Sequence, residues 1–472
     1  KKARPELHER IAESILNTTE EIDRFIASDL AQHYEKAQQH HKASEYYYQA
    51  ASEAENTFAV DDAIHLYQSA LQCYQKIDSQ PNQEMQEEER EKEQAQQDQL
   101  KPILKGLAGC LARDGQHDNA RQTLQEFIGL LEQANDYETL ASAQIALGKT
   151  YEVVHQHNDA LSYYQAAHTS LLKAPHSETP EKSDWWEIWL EIKSAILYVH
   201  YWLATPNEMS LIIEEIEPVI EKIADKRQLA KYYDNRLHFK LRDKRYLINT
   251  DDIEIAKKAF ESATECEDVQ TLTYSLFMLG FSLLLKNENF EAEKELLSSL
   301  KLSETYQDKI LQTRCYTYLT VTYRKKEEVN LTRNYAKFSL EMSIETKMND
   351  YIAVALANLS WSYFKEAEYQ QASIYLEQSL AHWNDVTTHF EYPFLWLSHL
   401  QAIALCGVND AFASKYMQQV PNFASTLLDP RQVPLPLAIE QLLLQLADKT
   451  NVSQRASLIE ELTKTAAEHR LL

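Results

Sequence analysis

The sequence predicts an all-α fold, a superhelical solenoid of antiparallel helix pairs. Three observations carry this. Only 7 of the 472 residues are glycine and 12 are proline, too few turn residues for a chain built on hairpins and sheets. A stripe of small and aromatic residues at helical spacing recurs at a fixed interval along the chain. Short polar stretches, "RDGQHD", "HQHND" and "KNEN", separate the helical segments.

Residues 1–77 read as N-terminal helical repeats. "IDRFIASDLAQHYEKA" is followed by "HHKASEYYYQAASEAENTF" and "AVDDAIHLYQSALQCYQKI". Ala43, Tyr47 and Ala50 form one stripe, and Ala63, Tyr67 and Ala70 repeat it 20 residues later. Residues 78–100 are rich in Gln and Glu with almost nothing apolar to bury, so they read as a solvated linker or a helix extension.

Residues 101–392 form the main array. Gly148 is followed by Tyr151, Ala160, Tyr164 and Ala167. In steps of 40 residues the Gly148 position recurs as Ala108, Lys240, Gly280, Thr320 and Ser360, and the Ala160 position as Ala120, Asp252, Ala292, Thr332 and Ala372. Between Ala160 and Ile212 the step is 52, and the 12 extra residues fit the loop Lys173–Asp184. Small residues at these places let two helices approach closely. After residue 393 the period fades. "VPNFASTLLDPRQVPLPLA" reads as a turn-rich link, and helices near 435–447 and 453–469 should cap the open end of the array.

The stretch "AQIALGKT", Ala143–Thr150, has the loose spacing of a phosphate-binding loop. Such a loop needs a buried strand before it and a glycine at its first position. Here helix formers precede it and the first position is Ala143. Gly148 is therefore read as a helix–helix contact and Lys149 as its solvent-side neighbour.

These offsets resemble the tetratricopeptide repeat superfamily, in a long variant of about 40 residues per repeat, over roughly residues 101–390 or about seven repeats. The match is weak around Trp185–Val219 and at Lys240 and Asp252. The N-terminal order is similar to the helical sensor arm of STAND/AAA-type signalling ATPases: Leu7-His8 with Ile11-Ala12, Leu30-Ala31 with His33-Tyr34, then Ala43 through Ala50. The resemblance implies an ATPase or output domain upstream. The chain begins without Met inside what reads as a helix, as a piece of a longer polypeptide would.

A formal charge of −25 opposes direct nucleic-acid binding. The most apolar run, Leu276–Leu285, is too short to span a membrane. Cys73, Cys110, Cys266, Cys315 and Cys406 are scattered, as reduced, buried thiols of a cytoplasmic protein would be. His155, His157 and the His40-His41 pair read as exposed turn residues. We expect no catalytic residues, metal or cofactor, and no enzymatic activity.

With Gly148 and its equivalents as the eighth position of each repeat, the resemblance places the ninth, twelfth and thirteenth on the concave face. That selects Lys244 and Arg245, Phe281, Arg324 and Lys325, then Trp361, Phe364 and Lys365. Together they suggest a partly apolar groove with cationic ends for an acidic peptide or effector. The same positions lie near helix ends, where cations complement the helix dipole. Trp185, Trp186, Trp189, Tyr198, Tyr201 and Trp202 either pack between repeats or wall a ligand site. The expected function is a non-catalytic regulatory arm that binds a protein, a peptide or a small effector; the alternative is a free-standing scaffold or peptide receptor.

Overall fold

The computed structural model describes residues 3–19, 21–78, 87–385, 395–428, 434–448 and 452–469, and among them it is helical throughout, with no strand. The chain opens with α1 (Ala3–Thr18) and α2 (Arg24–Lys36). Eight antiparallel pairs follow: α3 (His40–Asn56) with α4 (Val60–Asp78), α5 (Glu87–Arg113) with α6 (His117–Ala134), α7 (Tyr137–Glu152) with α8 (His157–Leu171), and α9 (Asp184–Trp202) with α10 (Pro206–Ile223). Then come α11 (Lys226–Asp243) with α12 (Thr250–Thr264), α13 (Val269–Leu285) with α14 (Asn289–Thr305), α15 (Lys309–Lys325) with α16 (Val329–Glu345), and α17 (Asn349–Lys365) with α18 (Tyr369–Asp385). From α3 to α17 each odd-numbered helix touches its partner and the next odd-numbered helix, so the odd helices form a continuous inner row.

The turns explain how so few glycines suffice. Asn287, Gln307, Glu327, Lys347 and Ala367 follow one another every 20 residues, each in the left-handed region with φ between 53° and 62°. At each, the next amide reaches back five residues to close the helix end, as in Glu288 N to Leu283 O at 2.9 Å and Glu328 N to Tyr323 O at 3.0 Å. The 40-residue repeat is thus two similar 20-residue halves. Tyrosines tie successive helices together. Tyr47, Tyr67, Tyr164 and Tyr316 each donate to the Glu 12 residues earlier, Glu35, Glu55, Glu152 and Glu304, at 2.7–3.1 Å.

Gly148 lies inside α7, with the Tyr164 ring packed on its bare Cα; a Cβ there would stand 2.8 Å from Tyr164 Cδ1. Lys149 reaches Glu191, and the Thr150 hydroxyl bonds Leu147 O at 2.7 Å, so "GKT" is mid-helix and not a phosphate loop. α5 runs from Glu87 through the second half of the Gln/Glu-rich stretch, and residues 79–86 lie outside the described residues. The expected turn-rich link begins instead as a short helix, α21 (Val420–Ser425), with Pro421 in its first turn where a missing N–H costs nothing. It follows α19 (Leu395–Cys406) and α20 (Asp410–Tyr416), and α22 (Leu437–Asp448) and α23 (Val452–Glu468) complete the chain, with α23 folded back on α19.

The array closes on itself. The α3–α4 turn meets the α14–α15 turn: Phe58 packs edge-on to Tyr306 at 4.0 Å, and Val60 N donates to Gln307 Oε1 at 2.9 Å. The α5–α6 turn meets the next turns along, through Asp114 with Lys309 and Asp118 with Lys347. Gly115, at φ +81°, lies against Thr346. At the α7–α8 turn, His155 Nε2 pairs with Asp350 Oδ2 at 2.9 Å. His155 and His157 are therefore not the exposed residues expected. Inside the seam His155 meets the Trp202 ring edge-on and His157 stacks on it, and burial drives His157 down to about 3. Of the cysteines, Cys266 is only partly buried and the other four are buried; all are free thiols.

Gly148→Ala should destabilise the chain by about 1–3 kcal/mol, because Tyr164 must leave its place. Gly129→Ala, with nothing near its added methyl, should be neutral or stabilising by up to about 1 kcal/mol. Denaturant unfolding of both variants checks the pair; equal effects would contradict this account of the small-residue stripe.

Candidate functional site

The closed inner row leaves a groove of about 820 Å³ along α3, α5, α7, α9 and α11. Tyr48, Ser52 and Glu55 come from α3, Lys105 and Gly109 from α5, and Glu138, Thr139 and Ser142 from α7. Asp184, Glu187, Glu191 and Ser194 from α9 face Arg227, Lys231 and Asn235 from α11. Each helix contributes residues three or four apart, the spacing of one helical face.

Charge is unevenly spread. Near α3 and α5, Glu55 accepts from Tyr67 at 2.8 Å and from Arg113 at 2.8 Å. Towards α11 three cations gather around one carboxylate. Lys149 Nζ lies 2.7 Å from Glu191 Oε1, and both are partly open to water. The Lys149 ammonium holds the Glu191 carboxyl down to about 2 against the opposing effect of burial, with Lys231 and Arg227 adding to the pull. Burial, with Lys149 and Arg227 close by, lowers Lys231 from its usual range. Arg227 Nε also bonds Asp268 at 2.9 Å. Asn235 Nδ2 donates to Ser194 Oγ at 2.8 Å and is held toward the groove.

One turn further along the same faces of α9 and α11 the wall becomes aromatic. Tyr198, Tyr201, Trp202 and His238 meet Tyr274, Phe277 and Phe281 of α13, Arg314 and Tyr318 of α15, and Tyr351 of α17 around a small chamber of about 30 Å³. Trp185 and Trp186 instead pack between elements; Trp185 stacks on His176 at 4.0 Å and donates to Leu171 O. The aromatic run thus divides, its first part packing and its second part forming a wall.

Of the residues selected from the repeat register, Phe281 lines this chamber, 4.6 Å from Tyr318. The others hold helix ends. Lys244 Nζ binds both oxygens of buried Asp252, at 2.7 and 2.8 Å. Arg245 occupies a left-handed turn at φ 49°. Arg324 is buried, and that burial lowers its guanidinium to about 10. Lys325 caps Leu284 O and Asn287 Oδ1. Trp361 is buried with Lys365 over its ring at 5.4 Å, and Phe364 packs on Tyr369. The reason is the seam: α17 is buried from Asp350 through Ser362 on every side, so its concave face is covered. Carried back to the Gly148 repeat, the same rule reaches Lys149, the partner of groove-lining Glu191.

No family model and no curated protein matches this sequence. Among solved structures the chain is similar to a Rap protein complexed with competence and sporulation factor, at 12% identity over 79% of this chain and 99% of that one, with a TM-score of 0.44. It is similar to NprR in complex with its cognate peptide NprX at 14% identity over 69% and 88%, TM-score 0.46. A third is a STAND signal-transduction ATPase with a tetratricopeptide repeat sensor from Pyrococcus horikoshii, at 14% identity and TM-score 0.44; this chain covers 78% of its own length and about half, 54%, of that protein. The fold is a tetratricopeptide-like helical repeat. Its own paired helices and inner row establish this, independently of those neighbours.

The Lys149–Glu191 pair stabilises the fold above the ordinary carboxylate range, and that contribution drains as pH falls from about 4.5 towards about 2. Partial exposure keeps it small. Glu191→Gln should therefore show a shallower loss of Tm between about pH 5 and about pH 3 than the parent chain. Parallel curves from thermal melts would refute the pairing.

Proposed function

We propose that this chain is a non-catalytic binding module whose α3–α11 groove takes an extended peptide or small effector, and that it serves as the regulatory arm of a larger signalling ATPase. The observation that carries the binding role is the groove itself. Five successive inner helices wall it, its volume suits a short peptide or compact effector, and its charge is polarised. Lys149, Arg227 and Lys231 crowd one carboxylate, Glu191, at one end, so an acidic group entering there gains charge-assisted hydrogen bonds. Glu138, Asp184 and Glu187 on α7 and α9 favour an amine.

The arm reading rests on the N-terminal motif. His8 and His33, both within it, lie in contact, Nδ1 to Nδ1 at 2.9 Å, where α1 packs on α2. In such an arm, occupancy of the groove shifts the parent between resting and active states in proportion to its differential affinity for the two. ATP turnover by the full polypeptide, with and without a captured ligand, separates the arm from a free-standing receptor.

The binding role is tested by exposing the immobilised chain to a pool of random-sequence synthetic heptapeptides and identifying what is retained by mass spectrometry. The chain should enrich acidic peptides, and Arg227→Glu with Lys231→Glu should lose them with little change in Tm. Retention of the same peptides by both proteins would exclude the groove.

A further inference from the structure

The aromatic chamber beyond the groove holds a buried cation ringed by phenols, one of which, Tyr198, bonds it. Arg314 projects from α15 among the phenols of Tyr198, Tyr351, Tyr274 and Tyr318. Its Nε is buried and has no hydrogen-bond partner. His238, on the facing helix, is in the same condition. Its Nδ1 is buried and unpartnered, while its Nε2 lies 3.2 Å from the Tyr274 hydroxyl. When that phenol donates to Nε2, the imidazole proton sits on Nδ1. Burial and the neighbouring Arg314 keep His238 neutral, down to about 3. Two N–H groups without acceptors thus line one small void.

Orphaned buried donors cost about 1–3 kcal/mol each, more where the group is charged. A chain with 72 acidic residues has no shortage of carboxylates, yet it surrounds this guanidinium with phenols. Two acidic groups act on Arg314, Glu152 from α7 and Asp308 at the start of α15; burial pushes both carboxyls up, and they are engaged elsewhere, Glu152 accepting from Tyr164 at 2.7 Å and Asp308 from Leu311 N at 2.9 Å. A water could satisfy the donors but would bring no charge to the guanidinium. An anionic acceptor would satisfy both. The void of about 30 Å³ admits a group about the size of a water or two and no more, which fits a carboxylate head.

We propose that the Arg314 chamber is a binding site for a carboxylate group, held by Arg314 and His238 within aromatic walls. The carboxylate belongs either to a free small acid or to the end of a ligand lying in the groove. The second source rests on the groove reading; the first does not. Geometry allows both, because Glu191 and Ser194 precede Tyr198 on α9, and Lys231 and Asn235 precede His238 on α11, at one-turn spacing on the same faces.

Acetate is the probe, followed by saturation-transfer NMR on the full chain. Acetate should bind the parent chain and should bind Arg314→Gln about tenfold to a hundredfold more weakly, a larger loss than the groove variant Lys231→Glu shows. Arg314→Lys, which keeps the charge, should retain part of the affinity. Circular dichroism and melting of each variant confirm that it is folded. No acetate binding by the parent, or equal binding by folded Arg314→Gln, overturns the proposal. Peptides retained by the groove are then compared as free acids and C-terminal amides. A preference for the free acid that Arg314→Gln abolishes identifies the groove ligand as the source. Acetate binding without such a preference supports the site and assigns it to a free acid. If no peptide is retained but acetate still binds at Arg314, the groove reading fails and the chamber stands.

Discussion

The structure depends on the seam where the superhelix meets itself. Helix pairs in an open solenoid contact only their neighbours along the chain. Here Phe58 packs on Tyr306 and His155 pairs with Asp350, across 195 residues in the second case. These contacts turn a curved surface into an enclosure. Without them α13, α15 and α17 would expose one face to water, and their apolar and aromatic residues on that face would be a liability. With them the face becomes a wall.

Enclosure also changes what a charge is worth. Lys149 and Glu191 are half open to water, so their pairing adds little stability, yet the ammonium still holds the carboxyl down to about 2. Lys309, at the start of α15, and Lys326, in the α15–α16 turn, are engaged with ordinary carboxylate partners. Arg227, Lys231 and Arg314 stand inside the enclosure, Arg227 bonded to Asp268 and Arg314 set among phenols.

Much of the fold was legible in the sequence, because close helix contacts demand small residues and Gly148, Ala160, Ala292 and Ala372 announce them. The loop Lys173–Asp184 was legible for the same reason, as the place where the interval stretches. The turns were less so: Gln307, Glu327 and Lys347 carry no sign that they adopt a left-handed backbone. The seam was not legible at all. Its partners are ordinary polar and aromatic residues far apart in the chain, and nothing in a local pattern pairs His155 with Asp350. That gap explains the candidate site. A register borrowed from open repeats picked Arg324 and Trp361 as surface residues, whereas closure buries both. The same register, carried back to the Gly148 repeat, reaches Lys149.

Closure has a consequence for how such a protein can evolve. The length of an open solenoid is a free variable, since one repeat can be lost or duplicated with little effect on the rest. In this chain Asp118 must arrive opposite Lys347 and His155 opposite Asp350. Removing one 40-residue unit between them would bring different turns face to face and empty the enclosure. The repeat number is therefore fixed by geometry, and variation is confined to places outside the circuit: the α8–α9 loop, which already holds an insertion, and the helices after α18.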